Sequence, residues 1–370
     1  MKGSIRQRTP NSWTVTLYLG QDESGKDLRK YISVKGTRAD AETELARALG
    51  DLDAGLDLDR HKITVAELLA RWLSVTQPEV GRNTYKRYEE LARLHVIPKV
   101  GTIRLMKLSP LHVQEIYSTA RKKGLSTTTV RHVHRVLSMA LKAAVLWQLV
   151  DRNVCDAVKA PKAARSNRKP LELAQALELL ESLTGELATL GAIAVGGGLR
   201  LGECLGLRWE DVDFEKGQLR VAQVLHGDMT FAHPKSHRSQ RTIALPDFVL
   251  ESLRTHRRSQ NERRLACGSA WNDAGLVFDR GDGLPLRLDT TSKRFKRAAD
   301  EAGVAITFHG LRHGHADLML AAGVDMKVTS HRMGHSSISI TADLYTHVVS
   351  KLDKQAAESL DRLFTNRQEG

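Results

Sequence analysis

The spacing of apolar residues changes along this chain, and each spacing favours one kind of structure. Near the N-terminus, SWTVTLYLG places four apolar residues on one side of a strand: Trp13, Val15, Leu17 and Leu19. LRKYISV resumes the extended pattern after the turn DESGKD, which predicts a hairpin, with GSIRQR as a third strand. Thr37 can cap the next segment, RADAETELARALGDL, as a helix. Residues 1–58 are therefore expected to form a small domain of three strands and a helix.

From residue 62 the spacing becomes helical. Thr64 can cap the segment VAELLARWLS as a helix. Three further helical patterns follow, at 83–96, 110–123 and 126–148. The last one turns its apolar residues to one side and leaves Arg131, Arg135 and Lys142 on another. We expect an all-helical domain with a basic face over 62–160.

The remainder of the chain mixes helices with a few strands. A basic linker bracketed by prolines is expected at 161–170. Residues 171–370 are mostly helical in pattern, but LRVAQVL and RTIAL indicate strands of a small antiparallel sheet. The predicted fold class is multi-domain α+β, mainly α with small antiparallel sheets.

Positive charge is concentrated in the middle of the chain. The 370 residues carry a formal net charge of +13, and residues 61–160 hold 17 basic against 7 acidic side chains, a net of +10. Clustered lysines and arginines displace counterions from a phosphate backbone, so a polyanion is the expected partner and nucleic acid is the leading candidate. No apolar run has the length of a signal peptide or a membrane span. A cytoplasmic, DNA-associated protein with no membrane partner is expected.

Two arginines lie in segments suited to binding a phosphate. Arg200 follows the glycines of AVGGGLRLGECL, where the backbone can approach a ligand and a helix should begin near Leu201. His309 and Arg312 are three residues apart in HGLRHGHADLML, on one face of a helix, so both can reach one phosphate. Guanidinium groups stabilise charge on phosphate oxygens. A nucleotide-binding loop is disfavoured because the GxxxxGK(S/T) pattern is missing.

A metal site is an alternative interpretation of the histidines. His309 and His313 are four residues apart, as are His331 and His335 in HRMGH, and that spacing could chelate a metal. No carboxylate of the HExxH kind accompanies them. The cysteines at 155, 204 and 267 form no CxxC pair, which predicts reduced, structural thiols. We therefore expect neither a metal nor another cofactor.

Tyr345 lies ten residues after His335 in GHSSISITADLYTHV, on an expected helix. A phenol has a pKa of about 10, so it needs nearby cations to attack as a phenolate. The attack forms a covalent phosphotyrosyl ester, which keeps the energy of the broken bond. Strands could then be rejoined without ATP or a metal. A tyrosine at helical spacing is more often a core residue, and only the surrounding basic motifs favour a nucleophile.

Three motifs, in order, resemble the tyrosine recombinase (phage integrase) family. GLRLGECLGLRWEDVD resembles its first box, HGLRHGHA its second, and MGHSSISITADLYTHV its nucleophile segment. The resemblance implies that Arg200 and Arg312 clamp the scissile phosphate. It also implies that His335 supports the phosphate and that Tyr345 attacks it.

The same resemblance implies roles for three other residues. Lys235, on a hairpin tip in AHPKSHRSQRTIAL, would be the general acid that protonates the departing 5′ oxygen. His309 would assist proton transfer. Glu203 matches an acidic position that buttresses the site. Because all six core positions are filled, an active enzyme is implied.

The rest of the chain also resembles parts of this family. Residues 62–160 resemble the SAM-like core-binding domain, which closes over DNA opposite the catalytic domain, here 171–370. Residues 1–58 resemble the arm-binding, AP2-type sheet. One departure is VTSHRMGH, where a leucine and an acidic residue are more usual before the glycine. The amphipathic tail KLDKQAAESLDRLF resembles a helix that family members exchange between protomers, and packing on its own domain is the alternative.

The function implied is that of a site-specific DNA integrase. It would act as a homotetramer on synapsed double-stranded DNA with core and arm sites, integrating, and with accessory factors excising, a phage or mobile element through a 3′-phosphotyrosyl intermediate. An excisionase and a DNA-bending host factor are implied partners, since bound DNA must bend to be paired. Alternatives with the same chemistry are a resolvase and a type IB topoisomerase-like strand transferase. A non-catalytic DNA-binding regulator and a metal-dependent nuclease are alternatives from other classes.

Overall fold

The structure, a computed structural model, describes residues 3–55, 58–162, 170–233 and 240–334. The chain divides into two compact units, residues 1–166 and 167–370. Over the described residues it is mainly helical with small antiparallel sheets, which confirms the predicted fold class. No helix in these four stretches is long and apolar enough to cross a membrane.

The first unit begins with a three-stranded antiparallel sheet. Its strands, in order across the sheet, are β1 (Gly3–Thr9), β2 (Ser12–Gln21) and β3 (Asp27–Lys35). Helix α1 (Arg38–Asp53) covers one face, where Ala41 and Ala48 pack with Val15 and Leu17. The three predicted strands and the helix that follows them are therefore confirmed.

Both predicted helix caps are present. The Thr37 hydroxyl accepts a hydrogen bond from the backbone N of Asp40, and the Asp40 carboxylate accepts one from the backbone N of Thr37. Thr64 and Glu67 form the same reciprocal pair at the start of the next helix. These bonds satisfy backbone donors that have no partner within the first turn.

Leu19 departs from the alternation predicted for β2. Its side chain is 40% exposed, and the pairing of β2 with β3 shifts between Tyr18 and Gly20. A β-bulge of this kind adds an unpaired residue and turns the following side chains away from the regular alternation. The apolar face of β2 therefore ends at Leu17.

Helices make up the rest of the first unit. They are α2 (Val65–Thr76), α3 (Arg82–Leu91), α4 (Ile97–Val100), α5 (Pro110–Lys122) and α6 (Thr127–Leu146). The helix predicted at 83–96 is interrupted by a π-helical turn at Ala92–Val96, where the N–H of Ile97 donates to the carbonyl of Ala92. Pro98 follows directly and has no N–H to continue an α-helical ladder. The wider turn joins α3 to α4 without breaking the chain direction abruptly.

Helix α6 has the two faces that its sequence predicts. Val130, Val133 and Leu137 are buried, whereas Arg131 and Arg135 are exposed. The buried side joins the apolar core of α2 and α5. A basic side of α6 therefore remains in contact with solvent.

A buried ion pair joins α1 to the helices of the same unit. Asp51, near the end of α1, accepts hydrogen bonds from Arg60 Nη2 at 2.9 Å and from His61 Nε2 at 2.6 Å. Arg60 also donates to the carbonyl of Gln148, just after α6, at 3.5 Å. The sheet and the helices of this unit are thus tied together by side chains. The three-domain division, with boundaries at 58, 62, 160 and 170, stays a prediction.

The second unit contains the remaining elements. Its helices are α7 (Leu173–Ser182), α8 (Gly185–Gly197), α9 (Leu201–Leu205), α10 (Asp247–Cys267), α11 (Leu288–Glu301), α12 (Phe308–Ala321) and α13 (Met326–Met333). Its strands are β4 (Val212–Asp213), β5 (Gln218–Val221), β6 (Val224–Leu225), β7 (Phe231–Ala232) and β8 (Arg241–Ala244). The antiparallel sheet has the order β4-β5-β8, and β6 pairs with β7 in a separate two-stranded sheet. LRVAQVL, predicted as one strand, is therefore split between two sheets.

Helix α8 lies at the centre of the second unit. Its residues from Thr189 to Gly197 are all buried. It packs closely on α10, because a Cβ added at Gly196 would lie 2.4 Å from Val249 Cγ2. A helix that is buried on every side fixes the position of the segment that follows it.

Candidate active site

Arg200 lies between α8 and α9, where the chain changes direction. Gly198 ends α8 with φ +66°, and a Cβ on it would lie 2.5 Å from Cδ2 of His315, so glycine is required there. Arg200 is the N-cap residue of α9, which begins at Leu201 as predicted. Its side chain is 41% exposed, so a ligand can reach it.

Glu203 is the common partner of three arginines. Its carboxylate accepts from Arg200 Nη1 at 2.8 Å and from Arg241 Nη1 and Nη2 at 3.2 and 3.0 Å, and Arg312 Nη1 lies 3.8 Å away. The carboxylate also accepts from the backbone N of Arg200 at 2.9 Å. Glu203 is only 2% exposed. Burial alone would raise the pKa of Glu203, but the Arg241 hydrogen bond and charge, followed by the charge of Arg312, lower it below its ordinary value.

Arg312 is held on both sides by backbone carbonyls. It projects from α12, is 1% exposed, and donates from Nη1 to the carbonyl of Gly198 and from Nη2 to the carbonyl of Met333. Burial, followed by the charge of Arg200, lowers the pKa of Arg312 to about 9, so the guanidinium stays charged at neutral pH. Its position is therefore fixed before any ligand arrives.

The C-terminal end of α13 binds the same three arginines through consecutive carbonyls. Arg241 Nε donates to the carbonyl of Arg332 at 2.5 Å, Arg312 to that of Met333, and Arg200 Nη2 to that of Gly334 at 3.4 Å. Carbonyls at a helix C-terminus carry partial negative charge and have no partner within the helix. We call this set the carbonyl triplet, residues 332–334.

His309 lies in the first turn of α12. Its ring meets that of His313 edge to face, with centroids 4.5 Å apart. Although its side chain reaches solvent, partial desolvation, followed by the charges of Arg312 and Arg200, lowers the pKa of His309. The imidazole is therefore neutral at physiological pH and can accept or relay a proton. The structure thus brings together Arg200, Glu203, His309 and Arg312.

Three of the residues predicted for the site lie outside the described part of the chain. They are Lys235, His335 and Tyr345. The tail KLDKQAAESLDRLF and most of the linker at 161–170 also lie outside it. The described residues end at Gly334, directly before His335, and so reach the start of the nucleophile segment.

The unusual VTSHRMGH segment still forms a regular helix end. Met333 is fully buried in the position where a leucine is more usual. Gly334 ends α13 with φ +61°, and the exposed side chain of His331 lies on the outer side. A flexible methionine fills an apolar site of this kind with little cost.

Arg241 belongs to the site but was missed from the sequence. It is fully buried at the start of β8, and two of its partners, Glu203 and Arg332, are 38 and 91 residues away in sequence. One signal could have found it. In RTIAL, Arg241 shares the strand alternation of buried Ile243, whereas Thr242 is exposed. A charge at a core position of a strand requires a buried partner.

The described residues contain no group of three or more His, Cys, Asp or Glu side chains that could hold a metal ion. His309 and His313 make a ring contact within this part of the chain. Cys155, Cys204 and Cys267 are free thiols, as predicted. Burial raises the pKa of Cys155 to about 12 and that of Cys204 well above its ordinary value, so neither is a reactive thiolate.

Two family models match the chain. The model described as "Phage integrase family" matches residues 169–351, and "Phage integrase, N-terminal SAM-like domain" matches residues 64–120. A tyrosine recombinase XerC-like protein of Caldanaerobacter subterraneus is 31% identical, over 95% of this chain and 96% of the relative. An integrase of Streptomyces ambofaciens is 30% identical, over 95% of this chain and 93% of the relative.

Solved structures share the fold. The Tn1549 transposon integrase, in complex with transposon right end DNA, aligns with a TM-score of 0.70 at 22% identity, over 81% of this chain and all of that one. A lambda integrase dimer bound to a COC′ core site aligns with a TM-score of 0.60 at 18% identity, over 93% of this chain and 94% of that one. The two relatives, 31% and 30% identical over 95% of this chain, establish that the chain belongs to the phage integrase family of tyrosine recombinases.

Proposed function

We propose that this recombinase is a DNA integrase that cuts and rejoins DNA through a 3′-phosphotyrosyl bond to Tyr345. The observation that carries the proposal is the grouping of Arg200, Arg241 and Arg312 around the buried carboxylate of Glu203, with His309 beside them. A fixed cluster of guanidinium groups is the arrangement that stabilises charge on a phosphate without reorganisation during the reaction.

The charge of the cluster suits the reaction. Three guanidinium groups and one carboxylate leave two net positive charges. A phosphodiester carries one negative charge, and attack by a phenolate brings a second. The cluster would therefore neutralise the transition state of this attack, and Arg200 and Arg312 are the two residues that we assign to the phosphate oxygens.

The proposed steps balance without a cofactor. The Tyr345 oxygen forms a bond to phosphorus while the bond to the 5′ oxygen breaks, and Lys235 gives its proton to that oxygen. His335 supports the phosphate, and the neutral imidazole of His309 helps to move protons. In the reverse step a 5′ hydroxyl attacks the phosphotyrosyl ester, its proton passes to Lys235, and the phenolate is released. One ester is exchanged for another, so neither ATP nor a metal ion is consumed.

The N-terminal sheet supports binding to a second class of DNA site. On its outer face, Arg6, Thr14 and Ser33 lie side by side across the three strands. Arg29 and the 65% exposed Tyr31 follow on the same face of β3. Arginines and exposed hydroxyl groups contact phosphates and base edges in DNA grooves. We assign this face to arm-type DNA and the basic side of α6 to core-type DNA.

The proposed assembly is a homotetramer on two synapsed core sites. A lambda integrase structure is described as a tetramer bound to a Holliday junction, and the same assembly would let this chain exchange strands in two rounds. Excision would require an excisionase, and pairing of arm and core sites would require a DNA-bending factor.

The assignment of Tyr345 is tested with a nicked suicide substrate, from which the product strand diffuses away. The wild-type chain should accumulate covalent protein–DNA adducts, and Tyr345→Phe should bind the DNA but form none. Tyr85→Phe is the matched control, since that ring packs in the helical core of the first unit, and it should form adducts at the wild-type rate. Adducts formed by Tyr345→Phe would refute the assignment.

The type of recombinase is tested with paired attachment sites on separate duplexes. An integrase should join the two duplexes, whereas a resolvase or topoisomerase-like enzyme should cut or relax DNA without joining them. Wild-type activity should be unchanged in EDTA. Loss of cleavage in EDTA would favour a metal-dependent nuclease instead.

A further inference from the structure

We propose that Arg241 is a positioning residue for the reaction, which holds Glu203 and the end of α13 so that Arg200 and Arg312 remain available to the scissile phosphate. This inference rests on the proposed function of the same site. Arg241 itself is fully buried and would not touch the DNA.

All three hydrogen bonds described for its guanidinium point to parts of the site. Nη1 and Nη2 bind the two carboxylate oxygens of Glu203, and Nε binds the carbonyl of Arg332. A guanidinium can hold a carboxylate with two parallel bonds, which fixes both the distance and the orientation of the group. Arg241 thus joins the turn at Arg200 to the carbonyl triplet through one rigid side chain.

The three arginines compete to neutralise the Glu203 carboxylate, and this competition explains why Arg241 is needed. A buried carboxylate must be neutralised, and the cations described around it are Arg200, Arg241 and Arg312. Arg312 is at 3.8 Å, too far for a hydrogen bond to the carboxylate. Arg200 donates to one carboxylate oxygen at 2.8 Å, and Arg241 binds both oxygens. Without Arg241, Glu203 would hold Arg200 more tightly and draw Arg312 toward itself, and both would lose orientation toward a phosphate.

The backbone around Arg241 leaves little room for another arrangement. A Cβ on Gly334 would lie 2.9 Å from Arg241 Nη1. Arg241 also begins β8, where it pairs with Val221 of β5. The guanidinium is enclosed by the strand on one side and the end of α13 on the other. Such enclosure is typical of a residue that orients other side chains of a site and does not itself bind the ligand.

The test compares the full-length chain with Arg241→Met and Arg241→Lys. Arg220→Met is the matched control, because Arg220 lies on the neighbouring strand, is exposed, and pairs with Asp211 outside the site. Cleavage is measured in single turnover on a suicide substrate whose core sequence is selected from random duplexes. Arg241→Met should cut about 100-fold more slowly, with a loss of DNA affinity no larger than the one that neutralising the scissile phosphate causes, and Arg220→Met should match the wild type. Arg241→Lys should recover little, because lysine cannot hold both carboxylate oxygens in one plane.

A second measurement separates positioning from a defect in folding. A neutral methylphosphonate is placed in turn at each central position of the duplex, and binding is measured in the Tyr345→Phe background. The Tyr345→Phe chain should lose affinity when the scissile phosphate becomes neutral, and adding Arg241→Met should abolish that difference. A chain that is merely less stable would keep the same preference in its folded fraction.

The double variant Glu203→Gln and Arg241→Met removes both buried charges of the pair. Its unfolding midpoint should rise above that of Arg241→Met, and cleavage should recover in part, because the neutral amide no longer competes for Arg200 and Arg312. Recovery of stability with no recovery of cleavage would overturn the inference, as would wild-type cleavage by Arg241→Met. Adducts formed by Tyr345→Phe would refute the proposed nucleophile. The methylphosphonate experiment measures DNA binding in chains that lack Tyr345, so its result on Arg241 can be interpreted even then.

Discussion

Gly334 lies directly against Arg241: a Cβ built on the glycine would be 2.9 Å from Nη1 of the arginine. Gly334 also has φ +61°, in the left-handed region. The two constraints are separate, since one concerns the backbone and the other the neighbouring guanidinium. Both act at the residue that ends α13 and precedes His335.

Replacing Gly334 by alanine should impair cleavage beyond its effect on stability. The control is Gly323→Ala, because Gly323 has φ +79° but no neighbouring atom within 4 Å of the point where a Cβ would lie. Both variants should lose about 1–2 kcal/mol in the free energy of unfolding. Only Gly334→Ala should also cut DNA about 100-fold more slowly, since it displaces Arg241. Equal cleavage by the two variants would contradict this prediction.

Replacing Glu203 by glutamine should destabilise the second unit strongly. The change leaves the buried guanidinium groups of Arg241 and Arg312 without their counter-charge, which costs about 3–5 kcal/mol. Urea unfolding measures the effect. Glu210→Gln is the control, because Glu210 is exposed in its pair with Arg208 and should cost less than about 1 kcal/mol. Similar losses of unfolding free energy in both variants would show that the buried cluster contributes no more to stability than an exposed ion pair.

The free energy of unfolding should depend on pH through His315. Its ring is buried, its Nδ1 lies 2.6 Å from the carbonyl of Val195, and burial lowers the pKa of His315 from 6.5 to about 4. The unfolded chain binds a proton below pH 6.5 that the folded chain rejects. The contribution of His315 to the free energy of unfolding is therefore fully present above pH 6.5. It decreases as the pH falls toward 4, by up to about 3 kcal/mol.

Urea unfolding between pH 4 and 6.5 tests this dependence. His315→Asn can still donate to the Val195 carbonyl but cannot titrate, so its slope with pH should be smaller than that of the wild type. His331→Asn, a change at an exposed position, should keep the wild-type slope. Glu203 acts in a lower range: the pKa of Glu203 is depressed below 4.5, so its contribution is lost only as the pH falls below that value. An unchanged slope in His315→Asn would refute the assignment.

Arg6→Ala should weaken binding to arm-type DNA and leave core-site binding intact. Loss of one phosphate contact should also reduce the slope of log affinity against log salt by about 1. Arg38→Ala is the control, because Arg38 lies on α1 and pairs with Glu42. Fluorescence anisotropy with separate arm and core duplexes at several salt concentrations measures both values. An equal loss for Arg38→Ala would contradict the assignment of arm-type DNA to the sheet face.

Local features of the fold could be predicted from the sequence because they depend on neighbours within a few residues. The caps at Thr37 and Thr64 each need one partner three residues away, and both are present. The exposure of Leu19 could not be predicted, because it follows from a register shift between two strands. The interruption at Ala92–Val96 is a similar case, since one wide turn leaves the apolar spacing almost unchanged.

Some residues of the site could likewise be predicted from the sequence, and one could not. Arg200, His309 and Arg312 could be assigned because their motifs resemble those of a known family, and the structure places Arg200 and Arg312 beside Glu203, with His309 near enough for their charges to lower the pKa of His309. Arg241 carries no motif, and its importance depends on contacts with Glu203 and Arg332, which are distant in sequence. Only a packed structure reveals that a single carboxylate needs more than one cation.

The carbonyl triplet gives the site a single point of control. Because Arg241, Arg312 and Arg200 each bind one of three successive peptide oxygens, a shift of α13 along its axis by one residue would remove an acceptor from all three at once. The orientation of all three guanidinium groups is therefore set by one short stretch of backbone.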